Sequence, residues 1–229
     1  ALHWGQWRAR IGEMRGHEHP SDRHAEGAVY DRFQGLLHSN GDAEFATGLY
    51  GVILPAYRAA LLRYTGETNP LVDQPTVRLI RHMVLDLDDH LAFGETALAA
   101  IEPAHRATAA AWQAHLEQYL AAAGGIDGTS ERLPSFLLPP PRSQGDFRIP
   151  ADYARDARFT TTLPKNNPFE NEKVHKPLLS KMWVRSQEMT AAELCATVLF
   201  EWDDLPYEGC LDLARHRQHR TASSGHPRR

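Results

Sequence analysis

Leu79-Ile-Arg-His-Met-Val-Leu-Asp-Leu-Asp-Asp-His90 sets acids and histidines into an apolar pattern that repeats with the period of an α-helix. At about 100° per residue, Asp86 and His90 lie one turn apart, and His90 falls among Leu79, Met83, Leu87 and Ala97. The helical wheel puts His90 furthest inward, Asp86 at the edge of the stripe, and His82 and Asp89 further out. A polar pair on a buried stripe needs a partner. Two kinds satisfy it here: a metal ion, or a hydrogen-bonded ion pair with an arginine of a neighbouring helix.

Periodicity around this stretch predicts a helix over residues 76–100, with Pro75 suited to its first turn, where a missing N–H costs nothing. Upstream, residues 2–14 read as a short amphipathic helix carrying Trp4, Trp7 and Ile11, and residues 25–37 as a second. Residues 43–64 then form an apolar helix with Asp42 as its N-cap and Phe45, Leu49, Val52, Ile53, Ala56, Ala60 and Leu61 as its apolar positions. Pro55 inside that helix should bend it or free a carbonyl. Downstream, Glu102-Pro103 opens a helix through residue 123, and Gly124-Gly125 stops it. Periodicity is lost from 126 to 177, where Pro139-Pro140-Pro141 and further prolines imply an extended segment. It returns over 178–200 and again from Tyr207. Residues 216–229 are polar and basic without an apolar stripe, the pattern of a frayed tail. No stretch alternates like a strand, so the expected class is all-α. The expected organisation is an N-terminal helical half (1–125), a proline-rich connection (126–177), C-terminal helices completing the same bundle (178–215), and the tail (216–229).

Composition narrows the function classes. A chain of 229 residues with 42% hydrophobic and 24% charged residues has the make-up of a globular protein. Its formal net charge of -4 argues against nucleic acid as the main partner. Two cysteines, Cys195 and Cys210, are too few for a disulfide scaffold or a cysteine zinc site, and they suit a reduced, cytoplasmic setting. No segment reads as a signal peptide or as apolar enough to span a bilayer. Thirteen histidines favour metal or proton chemistry. Neither a Gly-x-Ser-x-Gly elbow nor a phosphate-cradling glycine loop occurs.

A second inward acid is expected at Glu193, flanked at helical spacing by Met189, Ala196, Thr197 and Phe200. It too requires a metal or a cation such as Arg81 or Arg185. Together these helices resemble the ferritin-like di-iron carboxylate bundles, which take one Glu from each of two helices and a Glu-x-x-His from each of the other two. The segment Val84–Glu95, with its acids and His90, carries the likeness in one helix pair, and Glu193 through Arg215 carries it in the other. The resemblance implies an antiparallel helical bundle, iron or another divalent metal, and Asp86, His90 and Glu193 as the metal ligands. Oxygen activation is the implied reaction class.

The chain departs from the family pattern in specific places. Leu87 stands three residues before His90, and Leu213 three before His216, where the pattern has Glu. The apolar stretch Gly48–Tyr57 carries no acid. The site is thus partial or vestigial, and a non-catalytic structural or partner-binding module remains an equal alternative. A homo-oligomer is compatible with either, and neither calls for a membrane.

Overall fold

The computed structural model describes residues 2–14, 35–132, 134, 142, 147–149, 169–202 and 205–223. The described residues form helices and turns with no strand, so the protein is all-α as its patterning requires. Six helices carry the description: α1 (Leu2–Glu13), α2 (Asp42–Glu67), α3 (Gln74–Ala99), α4 (Pro103–Ala122), α5 (Lys176–Glu201) and α6 (Tyr207–Ser223). The chain divides into two compact units, Gln6–Phe147 and Ala1–Gly5 with Arg148–Arg229.

Within Gln6–Phe147, α2 is the central element and packs against both α3 and α4. Its middle, Thr47–Ile53, is a π-helix, directly before Pro55 in the first turn of the following α-helical segment. Proline lacks an N–H and its ring crowds the carbonyl four residues earlier, so a wider turn ahead of it relieves both problems without breaking the helix. The π-turn also shifts the buried face by one residue. Glu44, Gly48 and Val52 follow one another at steps of four, and after the shift Ile53, Tyr57 and Leu61 continue at the same step.

Two cores flank α2. Toward α4, Val52 and Ile53 meet Leu36, Trp112 and Leu116. Toward α3, Leu61 meets Ile80, Met83 and Leu87, with Trp7 of α1 and Tyr57 packed against them. Each such aliphatic side chain contributes about 1.5–3 kcal/mol when fully buried. Close approach of the helices depends on glycine. A Cβ on Gly94 of α3 would stand 2.7 Å from the Tyr50 Cβ and 2.6 Å from its Cγ.

Several expectations are corrected here. Residue 41, not Asp42, is the N-cap of α2, with Gly41 at φ 83°, and Asp42 is the first helical residue. Phe45, expected on the inner face, is 42% exposed, because the inner positions before the π-turn are Glu44 and Gly48. By length and composition α2 is apolar enough to cross a bilayer, where no such segment was expected, a property that core helices share. Residues 216–223, expected to fray, continue α6; no Gly or Pro interrupts them before Gly225. Most of the expected 25–37 helix and of the proline-rich 126–177 segment lies outside the described residues.

In the other unit, α5 packs against α6. Ala192 is the buried position of α5, and the Cys210 thiol points to the Leu205 carbonyl at 3.6 Å.

Candidate ligand-binding cleft

The expected metal ligands do not lie where the helical wheel put them. The buried stripe of α3 runs through Val77, Ile80, Met83, Leu87 and Gly94. His90, about 60° round the helix from Leu87, is exposed, as are Asp86, His82 and Asp89. Periodicity located the stripe, but which of its edges a neighbour covers depends on packing. On the opposite side of the same helix, Asp88 accepts a hydrogen bond from Arg58 Nε at 2.5 Å. Glu193 belongs to the other unit, is partly exposed, and its backbone carbonyl accepts from Thr197 Oγ1 at 3.1 Å. Among the described residues, no group of three or more His, Cys, Asp or Glu side chains could hold a metal ion.

The concave feature of the Gln6–Phe147 unit is a cleft of about 600 Å³. Along α2, the residues Leu49, Ile53, Leu54, Ala60 and Leu61 give it an aliphatic wall. Tyr57 and Tyr64, two turns apart on the same helix, add aromatic rings. Trp7 of α1 closes a second side, and Ile126 with Asp127 closes a third. The volume and mostly apolar lining, with a few placed hydroxyls, are those of a small-molecule pocket.

Each wall is fastened by polar contacts at the rim. The Trp7 indole N–H donates to the Tyr57 hydroxyl at 3.1 Å, and that hydroxyl points to Met83 Sδ at 3.8 Å. Burial pushes the Tyr57 hydroxyl pKa above its usual value, opposed by the hydrogen bond from Trp7. It stays a neutral phenol at physiological pH. Asp73, at the N-terminus of α3, gathers three helices. It accepts from Thr76 Oγ1 at 2.5 Å, from the Tyr64 hydroxyl at 2.6 Å and from Arg10 at 3.0 Å. Arg10 also donates to Thr76 Oγ1 at 2.7 Å. The hydrogen bonds from Thr76 and Tyr64, together with Arg10, hold the Asp73 carboxyl below its ordinary pKa. Arg10 and Trp7, three residues apart on α1, thus clamp that helix along one edge of the cleft.

The third wall depends on Gly124 and Gly125, at φ 79° and 84°, which turn the chain back over α2 after α4. Asp127 there pairs with Arg63, which also donates to Thr129 Oγ1 at 2.7 Å. Burial would raise the Asp127 pKa, but its bonds to Thr129 and Arg63 outweigh this and lower it. The one carboxylate of the cleft is therefore ionised and already neutralised by its neighbour.

A second polar constellation lies on the α4 side of α2, and sequence reasoning missed it. Glu44 is 4% exposed and pairs with Arg142, through Nη1 to Oε2 and through Nη2 to Oε1 at 3.3 Å. The Asn40 backbone N–H donates to Glu44 Oε2 at 2.7 Å. The Arg142 guanidinium lies 3.9 Å from the centre of the Trp112 ring, and His115 stacks on Trp112 at 5.1 Å. Burial would raise the Glu44 pKa, yet the bonds from Arg142 and Asn40 hold it below the usual value. Spacing from Gly48 at the π-shifted register was the available signal for Glu44. Nothing local marked Arg142, which lies 98 residues away in sequence.

No family model, curated protein or solved structure matches the chain.

Proposed function

We propose that the protein is a helical binding module whose cleft takes a small, neutral, apolar molecule. The observation that carries this is the cleft itself: about 600 Å³, walled by aliphatic and aromatic side chains. Its one carboxylate, Asp127, is matched by Arg63. A charged ligand would find no unmatched partner in that lining and would lose its hydration on entry. A neutral body with a hydroxyl or carbonyl gains burial of its surface and a hydrogen bond from or to Tyr57 or Tyr64. This is the partner-binding alternative left open by the sequence, with the partner a small molecule.

The neutral fluorophore N-phenyl-1-naphthylamine tests it. At about 0.4 kcal/mol per non-hydrogen atom, a ligand of this size binds with a Kd on the order of 10 μM. We expect saturable binding at one molecule per chain, abolished by Ala60→Trp, which fills the cleft, with the far-UV circular dichroism unchanged. Equal binding by the folded Ala60→Trp variant would place the fluorophore elsewhere and end the proposal.

The ferritin-like reading, with Asp86 and His90 as its candidate ligands on one helix, remains a second proposal resting on the sequence pattern. Its support is the one-turn spacing of Asp86 and His90 on α3.

A further inference from the structure

Glu44 is a carboxylate with almost no access to solvent, and the cation that matches it comes from outside the helices that bury it. Helix α2 supplies the acid, α4 supplies the aromatic floor through Trp112, and the turn before α2 supplies the Asn40 N–H and the His38 carbonyl. Arg142 donates to Glu44 with both terminal nitrogens, reaches the His38 carbonyl at 3.5 Å and stacks on Trp112. Each contact selects a guanidinium. Two parallel N–H donors match a carboxylate, and a planar, weakly hydrated cation lies flat on an indole, whereas a lysine ammonium does neither as well. The Arg142 side chain keeps 31% of its surface exposed, so the occupied socket opens to solvent. In sequence, Arg142 directly follows Pro139-Pro140-Pro141, a composition that favours the extended, pre-ordered chain many recognition segments use.

We propose that Glu44, Trp112 and the His38 carbonyl form an arginine socket that Arg142 fills within the chain, and that an arginine on another proline-rich polypeptide fills it when Arg142 is withdrawn. The resident side chain then acts as a tethered competitor. A partner must outcompete it, which sets a threshold on affinity. This site is separate from the apolar cleft and does not depend on it.

The test uses the full chain carrying Arg142→Ala and a synthetic peptide with the sequence of residues 138–147, followed by titration calorimetry. We expect one-to-one binding at least about tenfold tighter than to the unaltered chain, and at least about tenfold tighter than that of the same peptide with lysine at the arginine position. Adding Glu44→Gln to the Arg142→Ala chain should abolish binding. Equal affinity for the two chains or for the two peptides overturns the proposal. Should Arg142→Ala leave the chain unfolded, millimolar methylguanidinium should restore its helical circular dichroism and methylammonium should not. No recovery, or equal recovery with both, overturns it as well.

Discussion

His115 stacks on an indole that also carries a cation, and its surroundings oppose its protonation. It stacks on Trp112 at 5.1 Å, tilts against Tyr119 at 5.0 Å, and shares Trp112 with the Arg142 guanidinium. Burial first, and the charge of Arg142 second, lower its pKa from the ordinary 6.5. The unfolded chain therefore takes up this proton at higher pH than the folded chain does. Stability that is full above the ordinary value declines as pH falls through it toward the folded value. Glu44 adds a second decline lower down. Its folded pKa lies below the ordinary 4.5, so its contribution is present above that value and lost as pH falls through the folded one. We expect His115→Phe, which keeps a ring on Trp112, to flatten urea-measured stability between about pH 7 and 5 while leaving the decline below about pH 4.5. An unchanged slope in the upper range would remove His115 from the account. At this scale the sequence was a partial guide. Met83 and Leu87 were legible as core from their spacing, whereas the buried acid is Glu44 and not Asp86. A helical wheel drawn with an unbroken α period carries no information about a π-turn, so it put Phe45 inside and passed over Glu44.

The π-turn in α2 matters because it brings Tyr50 against Gly94 and so decides how closely α2 and α3 approach. Intrinsic helix propensity favours Ala over Gly by about 1 kcal/mol in a helix interior. At Gly94 that gain is outweighed: an added Cβ would meet Tyr50 at 2.5–2.7 Å, including its Cβ and Cγ, which cannot swing away without moving the π-turn. Gly94→Ala should therefore destabilise the fold by about 1–3 kcal/mol. Gly66, also helical, has nothing within 4 Å of an added Cβ, and Gly66→Ala should stabilise by up to about 1 kcal/mol. Opposite signs in thermal melts of the two variants support the packing; stabilisation by both would contradict it. Helix positions and stops were legible to within a few residues, since Pro75, Pro103 and Gly124-Gly125 act locally. What was not legible was the use of those elements. Trp7 read as part of the apolar side of an amphipathic helix, but its partner Tyr57, and the partners Asp73 and Thr76 of Arg10, are 50 to 66 residues away, and no local rule pairs them.

For the whole molecule, hydrophobic periodicity without strand alternation was enough to give the all-α class. It could not show how helices group, because an apolar stripe states that a face is buried and not against what. The chain forms two compact units, and the cleft lies wholly within the one spanning Gln6–Phe147. A ligand there contacts α1, α2 and the turn after α4. Binding to the native state stabilises it by an amount that grows with the logarithm of free ligand over Kd, and the amides nearest the site gain protection from local opening. The central claim is tested most directly by amide hydrogen exchange of the full chain with and without saturating N-phenyl-1-naphthylamine. The account predicts slower exchange in α1, in residues 49–64 of α2 and around residues 126–127. Protection confined to α5 and α6, or no protection at any segment under saturating fluorophore, would contradict it.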